Sequence, residues 1–169
     1  MTEEEKEKAQ RLLQQGLAYI HEKRIQDAVR VFEDSVDAFP TAEGYTYLGW
    51  ALSFDNRLVE AIELCKKAIE IDPDFGNPYN DIGCYLMDLD RDHEAVAWFE
   101  KAKKAKRYEH DFFPYLNLGR YYLKNDQIEE AKAVVKRFLL RDPELEYIFV
   151  RIDKNTTRVE KFRKIIRKR

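Results

Sequence analysis

The sequence predicts an all-α protein built as a stack of antiparallel helix pairs, and three observations predict it. The chain has only 6 Gly and 5 Pro in 169 residues and is rich in Ala, Leu, Glu and Lys, residues that lose little conformational freedom in a helix. The stretch Tyr45–Pro73, YTYLGWALSFDNRLVEAIELCKKAIEIDP, reads as two amphipathic helices joined by a polar turn. Its marker residues then recur along the chain at nearly constant spacing: Gly16, Gly49, Gly83 and Gly119 lie 33, 34 and 36 residues apart, and Ala28, Ala61, Ala95 and Ala131 repeat those intervals. A period near 34 made of helix, turn and helix marks a solenoid whose units cannot bury their apolar faces alone.

Each element has a local reason. Thr2 can cap the first helix while Glu5, three residues on, reaches back, and Glu3 and Glu4 suit the positive helix N-terminus; the helix should run to about His21. The second should start near Ile25, with Ala28, Val29, Phe32, Val36 and Phe39 on one face, and stop at Pro40. Phe32, Cys65, Phe99 and Val135 each follow the marker Ala by four residues. A Gly on the first helix and a small Ala on the second allow close approach, and the residue four later fills the remaining groove. Pro40, Pro73 and Pro143 stand twenty-four residues after their Gly, whereas the third unit carries Arg107 there. That exception, with the 36-residue interval, predicts a longer second helix in the third unit, running through KKAKRYEH. Beyond Pro143, residues 144–152 are expected to form a short helix, and Thr156 or Thr157 to cap a last helix striped with Val159, Phe162, Ile165 and Ile166.

These markers resemble the tetratricopeptide repeat (TPR) family. Its order of aromatic or Leu, then Leu-Gly, then Tyr is matched by Leu12, Gln15-Gly16 and Tyr19; by Tyr45, Leu48-Gly49 and Leu52; by Tyr79, Ile82-Gly83 and Leu86; and by Tyr115, Leu118-Gly119 and Tyr122. Gln15 departs from the pattern and suits an atypical first repeat exposed to water. The resemblance implies a right-handed α-solenoid of four repeats, about 9–41, 42–75, 76–111 and 112–143, with 144–169 as C-terminal capping helices and a basic tail. It also implies a noncatalytic adaptor that takes a peptide or helix of a partner protein in a concave groove. Carried onto this chain, the groove residues are Thr46, Trp50, Phe54, Asn80, Cys84, Met87, Phe113, Leu116, Arg120 and Lys124, with Leu13, Leu17, His21 and Ser53 beside them. Trp50, Phe54, Met87, Phe113 and Leu116 would supply an apolar floor, since aromatics and Met are typical interface anchors. Asn80 could bond an extended backbone, and Arg120 and Lys124 a carboxylate. The alternative for each apolar member is packing against a neighbouring repeat.

The subclass that clamps chaperone C-termini through two carboxylates uses Lys, Asn, Asn, Lys and Arg. Here the corresponding positions are Leu13, Leu17, Tyr47, Asn80 and Cys84, or Thr46, Trp50, Asp81, Leu116 and Arg120, with at most one match in either frame, which argues against that ligand and for a more apolar one. No catalytic constellation, cofactor motif or metal-spaced Cys/His cluster occurs: His21, His93 and His110 fall in different repeats, so an enzyme is not expected. Cys65 and Cys84 sit in helical patterns and read as reduced packing residues. Glu100 and Lys104 read as a solvated i,i+4 pair. Residues 151–169 hold nine Lys or Arg against two Asp or Glu, a tail of +7 that leaves −9 for residues 1–150. That tail carries a rival reading, association with nucleic acid or an anionic membrane; self-association as a structural dimer is a third. The charged opening and the lack of a long apolar run lead us to expect a soluble cytoplasmic protein without a secretory signal or membrane span.

Overall fold

The computed structural model describes residues 2–108 and 110–139 and places eight α-helices there: α1 (Glu3–His21), α2 (Ile25–Ala38), α3 (Ala42–Ser53), α4 (Leu58–Ile71), α5 (Asn77–Asp88), α6 (Asp92–Ala102), α7 (Phe113–Lys124) and α8 (Ile128–Leu139). They divide between two compact units, Met1–Glu109 with α1 to α6 and His110–Arg169 with α7 and α8 in its described part. The expected 144–152 helix, the last helix and the basic tail lie outside the described residues.

The helix starts follow from their caps. Thr2 and Glu5 form the expected capping box: the Thr2 hydroxyl accepts from the Glu5 amide at 3.2 Å, and the Glu5 carboxylate accepts from the Thr2 amide at 2.6 Å. Thr41 caps α3 in the same sense, accepting from the Gly44 amide at 2.9 Å. Proline opens α5 and α7, where its missing N–H costs nothing. Pro40 and Pro73 follow α2 and α4 by two residues.

Within each pair the turn is built on one residue with positive φ: Lys23 (59°), Asn56 (58°), Asp90 (57°) and Asp126 (56°). These positions keep the repeat intervals of 33, 34 and 36 residues. In all four, the next amide closes a wide loop back to the first helix, from Arg24 to the Tyr19 carbonyl, Arg57 to Leu52, Arg91 to Leu86 and Gln127 to Tyr122, at 2.8–3.2 Å. This left-handed cap ends the first helix and turns the chain into the second. Asn and Asp tolerate that conformation by bonding locally; Lys at position 23 does not share the advantage.

Packing in the first unit follows the marker residues. Ala28, Ala61, Ala95, Phe32, Cys65 and Phe99 have no solvent exposure. The Phe32 and Phe99 rings lie on Gly16 and Gly83: a Cβ added at Gly16 would come 2.3 Å from the Phe32 ring, and one at Gly83 2.4 Å from the Phe99 ring. In the second repeat the smaller Cys65 lets the helices themselves close, so a Cβ on Gly49 would meet the Ala61 carbonyl oxygen at 3.1 Å and the Cys65 sulfur at 3.5 Å. Glycine therefore seats a ring in the first and third repeats and a neighbouring backbone in the second. The first core cluster is built from Ala28, Val29, Phe32, Val36, Leu48, Ala51 and Leu52. Besides the packing within pairs, α2 meets α3 and α4 meets α5, and the first helices touch directly, α1 on α3 and α3 on α5; no comparable packing joins α2, α4 and α6 to one another. The first helices thus form the tighter, inner side of this unit.

Two expectations fail here. The second helix of the third repeat does not run through KKAKRYEH; α6 ends at Ala102 and the chain leaves the helix over residues 103–108. Arg107, found where the other repeats have proline, makes a parallel bridge with Phe75. Its amide donates to the Asp74 carbonyl at 2.9 Å, and its carbonyl accepts from the Gly76 amide at 2.9 Å. Its guanidinium lies 4.1 Å over the Phe75 ring and donates to Asp72 at 2.6 and 2.9 Å and to Glu43 at 2.7 Å. The bond from Arg107 holds the Asp72 carboxyl below the usual carboxylate range. A helix through Arg107 would break this joint of bridge, ion pairs and ring contact. Glu100 also pairs with Lys103, at 2.8 Å, rather than with Lys104. No helix among the described residues is long and apolar enough to cross a membrane.

Candidate functional site

Helix α3 carries the most distinctive side of the first unit. Gly49 seats against α4, and Leu48 and Leu52 join the core cluster with α2, which leaves Tyr47, Trp50 and Phe54 at i, i+3 and i+7 on another stripe. These rings form a ladder that starts from the buried Phe32. Centroids are 6.0 Å apart from Phe32 to Tyr47, 6.3 Å from Tyr47 to Trp50 and 5.6 Å from Trp50 to Phe54, within the range of favourable aromatic pairing. Exposure rises along the ladder: Phe32 is fully buried, Tyr47 and Trp50 are partly buried, and Phe54 is 53% exposed. A large aromatic ring anchored through others to the core, yet half in water, is a feature of recognition surfaces more than of cores.

The other expected groove residues divide by burial. Thr46 is 1% exposed and its hydroxyl donates to the Ala42 carbonyl at 2.7 Å, so it completes α3 instead of facing outward. Asn80, 7% exposed, donates from its amide to the Cys84 sulfur at 3.8 Å. Cys84 and Met87 on α5 are partly buried. Leu13 and Leu17 pack on the first core cluster, while His21 is exposed. In the second unit, Leu116 is buried, at 5% exposed. Phe113 is partly buried in a cluster with Phe112 and His110, at centroid distances of 4.3 and 5.9 Å. Arg120 and Lys124 are exposed on α7. The faces were legible from helical spacing, but which position on a face the next element covers was not. Thr46 carried one signal, since a Thr inside a helix often turns its hydroxyl onto the carbonyl four residues back.

Sequence reasoning gave no weight to the polar layer behind this face. Asp81 on α5 lies within electrostatic range of Cys65 and Tyr85. Burial raises its carboxyl to about 7, partly offset by a hydrogen bond from Asn80. Burial also raises the Tyr85 phenol, whose hydroxyl is enclosed without a hydrogen bond of normal geometry, and pushes the free thiol of Cys65 well above its ordinary range. A thiol pushed well above its ordinary range by burial is a packing group and a poor nucleophile. Among the described residues no group of three or more His, Cys, Asp or Glu could hold a metal ion.

Comparison with known proteins agrees with this architecture. Tetratricopeptide repeat models match residues 12–42, 42–75, 77–108 and 114–145. No curated protein matches the chain. Among solved structures, the chain is similar to PilF of Pseudomonas aeruginosa, at 18% identity and a TM-score of 0.76 over 95% of this chain and 76% of that one. It is also similar to MamA, at 22% identity and a TM-score of 0.69 over 80% of this chain and 79% of that one. A third is the second TPR of Spaghetti (RPAP3) bound to the HSP90 peptide SRMEEVD, at 19% identity and a TM-score of 0.58 over 62% of this chain and all of that one. These likenesses are of fold. With family models matching from residue 12 to residue 145 and helix pairs keeping the repeat period, the chain belongs to the tetratricopeptide repeat family.

Proposed function

We propose that the protein is a noncatalytic adaptor whose first unit docks an apolar segment of a partner protein along the inner side formed by α1, α3 and α5. The observation that carries this reading is the ring ladder from Phe32 through Tyr47 and Trp50 to the exposed Phe54. Each ring is held by the one before it, so the outermost pair is presented with little rotamer freedom left to lose on binding. Met87 and Cys84 stand on the neighbouring first helix and add soft, adaptable surface. The peptide complex of the RPAP3 repeat supports the mode of binding, while the mismatched clamp positions argue against its carboxylate ligand. We also propose a cytoplasmic location, since Cys65 and Cys84 are not joined in a disulfide, which suits a reducing compartment.

The test compares captured partners of the wild type with those of Trp50→Ala plus Phe54→Ala. Both side chains lie at the exposed end of the ladder, so the helices should survive, as circular dichroism will check. The expected result is loss of the main partners; a folded variant that keeps the same partners would show that this face does not bind.

A further inference from the structure

The first and third helix pairs each have a notch on the flank, between the first helix of the pair and the end of its second. In the first repeat this notch is a recess of about 350 Å³ that includes Leu12, Asp34 and Asp37. In the third it is a recess of about 410 Å³ that includes Tyr79, Trp98, Lys101 and Lys104. The positions correspond: Leu12 and Tyr79 both precede their marker Gly by four, and Asp34 and Asp37 occupy the places of Lys101 and Lys104 six and nine residues after their marker Ala. One site in the repeat thus occurs once with two carboxylates beside Lys8, and once with two ammonium groups and an indole beside Asp74.

The third-repeat notch has a definite construction. The Tyr79 and Trp98 rings stand 6.2 Å apart, and the Tyr79 hydroxyl donates to the Pro73 carbonyl at 3.0 Å, which fixes one wall. Lys101 lies 4.3 Å over the Trp98 ring. Many cations of the first unit pair with a carboxylate three residues away, as Arg57 does with Glu60 and Arg91 with Glu94. Lys101 and Lys104 have no such partner among the described residues, and Asp74, the one carboxylate lining the notch, is engaged by Lys106 at 3.0 Å. The run 101–107, KAKKAKR, contains five cations and no acid.

We propose that this notch binds an acidic peptide segment that carries one bulky apolar side chain, the side chain resting against the paired Tyr79 and Trp98 rings and its flanking carboxylates meeting Lys101 and Lys104. Charge complementarity selects the sign of the partner, and the paired rings select an aromatic or aliphatic anchor. A polyanion such as single-stranded RNA fits less well, because residues 1–109 carry fifteen Lys and Arg against twenty-three Asp and Glu and would repel a long strand beyond the notch.

The probe is a fluorescently labelled peptide of sequence Glu-Glu-Phe-Glu-Glu between Gly-Ser flanks, with its Lys-Lys-Phe-Lys-Lys counterpart, read by anisotropy at low ionic strength. Binding of the acidic peptide is expected to weaken about tenfold in Lys101→Glu plus Lys104→Glu, as two near-surface charge contacts predict. The same variant should gain binding to the basic peptide. The indole signal of Trp98, assigned by Trp98→Phe, should shift on adding the acidic peptide. Absence of binding by the wild type, unchanged affinity in the double lysine variant, or a shift confined to Trp50 would overturn the proposal. Tighter binding of oligouridine than of the acidic peptide would overturn it in favour of a nucleic-acid site.

Discussion

Replacing Asp81 with Asn should change how the stability of the fold depends on pH. The Asp81 carboxyl is raised from 3.8 to about 7 by burial. The folded state therefore holds a proton there at pH values where the unfolded chain has released it. Stability from this group is fully present below about pH 4, falls as pH rises towards about 7, and is level above that. A shift of roughly three units, at about 1.4 kcal/mol each, sets a ceiling of about 4 kcal/mol. Asp81 keeps partial solvent access at the surface of α5, so about 1–3 kcal/mol is the expected size. Asn at this position can still accept the bond from Asn80 but does not titrate. Urea denaturation followed by tryptophan fluorescence, at about pH 4.5 and about pH 8, should show the variant gaining on the wild type by about 1–3 kcal/mol as pH rises. Asp27, Glu60 and Glu94, each lowered first by a hydrogen bond from its arginine, act with the opposite sign at lower pH; taking the difference between two chains that share them removes their effect. A difference that stays constant across the range would refute the buried carboxylate and the packing inferred around it.

Two further predictions concern the repeat itself. Gly83→Ala should cost about 2–3 kcal/mol, since its Cβ would fall 2.4 Å from the fully buried Phe99 ring. Gly49→Ala, meeting a carbonyl at 3.1 Å, should cost about 1 kcal/mol; equal losses in urea midpoint would contradict the two kinds of seat described for glycine. Lys23→Gly should stabilise by about 0.5–1 kcal/mol by relieving a left-handed backbone, whereas Asn56→Gly should be close to neutral. Calorimetry of the pair gives the answer, and a loss of stability in the lysine variant would show that its turn is not strained.

The sequence was most informative where one residue answers to its nearest neighbours. Thr2 with Glu5, Pro40 after α2, and Gly83 beneath Phe99 of the next helix each follow from short-range chemistry, and the last recurs at the repeat interval. The positive-φ positions could have been read from Asn56, Asp90 and Asp126 in register, but Lys23 hid the pattern. Arg107 misled, because a cation in place of proline looks like permission for the helix to continue, and only the placement of Asp72, Glu43 and Phe75 shows what holds it. At the candidate site, Trp50 and Phe54 were legible as a stripe without a core partner. Thr46 and Leu116 were not legible as interior residues, because helical spacing assigns a face and says nothing of what the adjoining helix covers.

The joint at Arg107 has a bearing on how the first unit comes apart. In a solenoid, stability is close to a sum over repeats and their shared interfaces, so single repeats can open by themselves when an interface is weak. Arg107 lies after α6 yet bonds to Asp72, 35 residues earlier, and to Glu43, 64 residues earlier in α3. Opening the third pair must therefore release ties to the linker before it and to the helix that carries Trp50 and Phe54. These ties link the second and third repeats beyond their helix packing, and the ring ladder sits on the helix they hold.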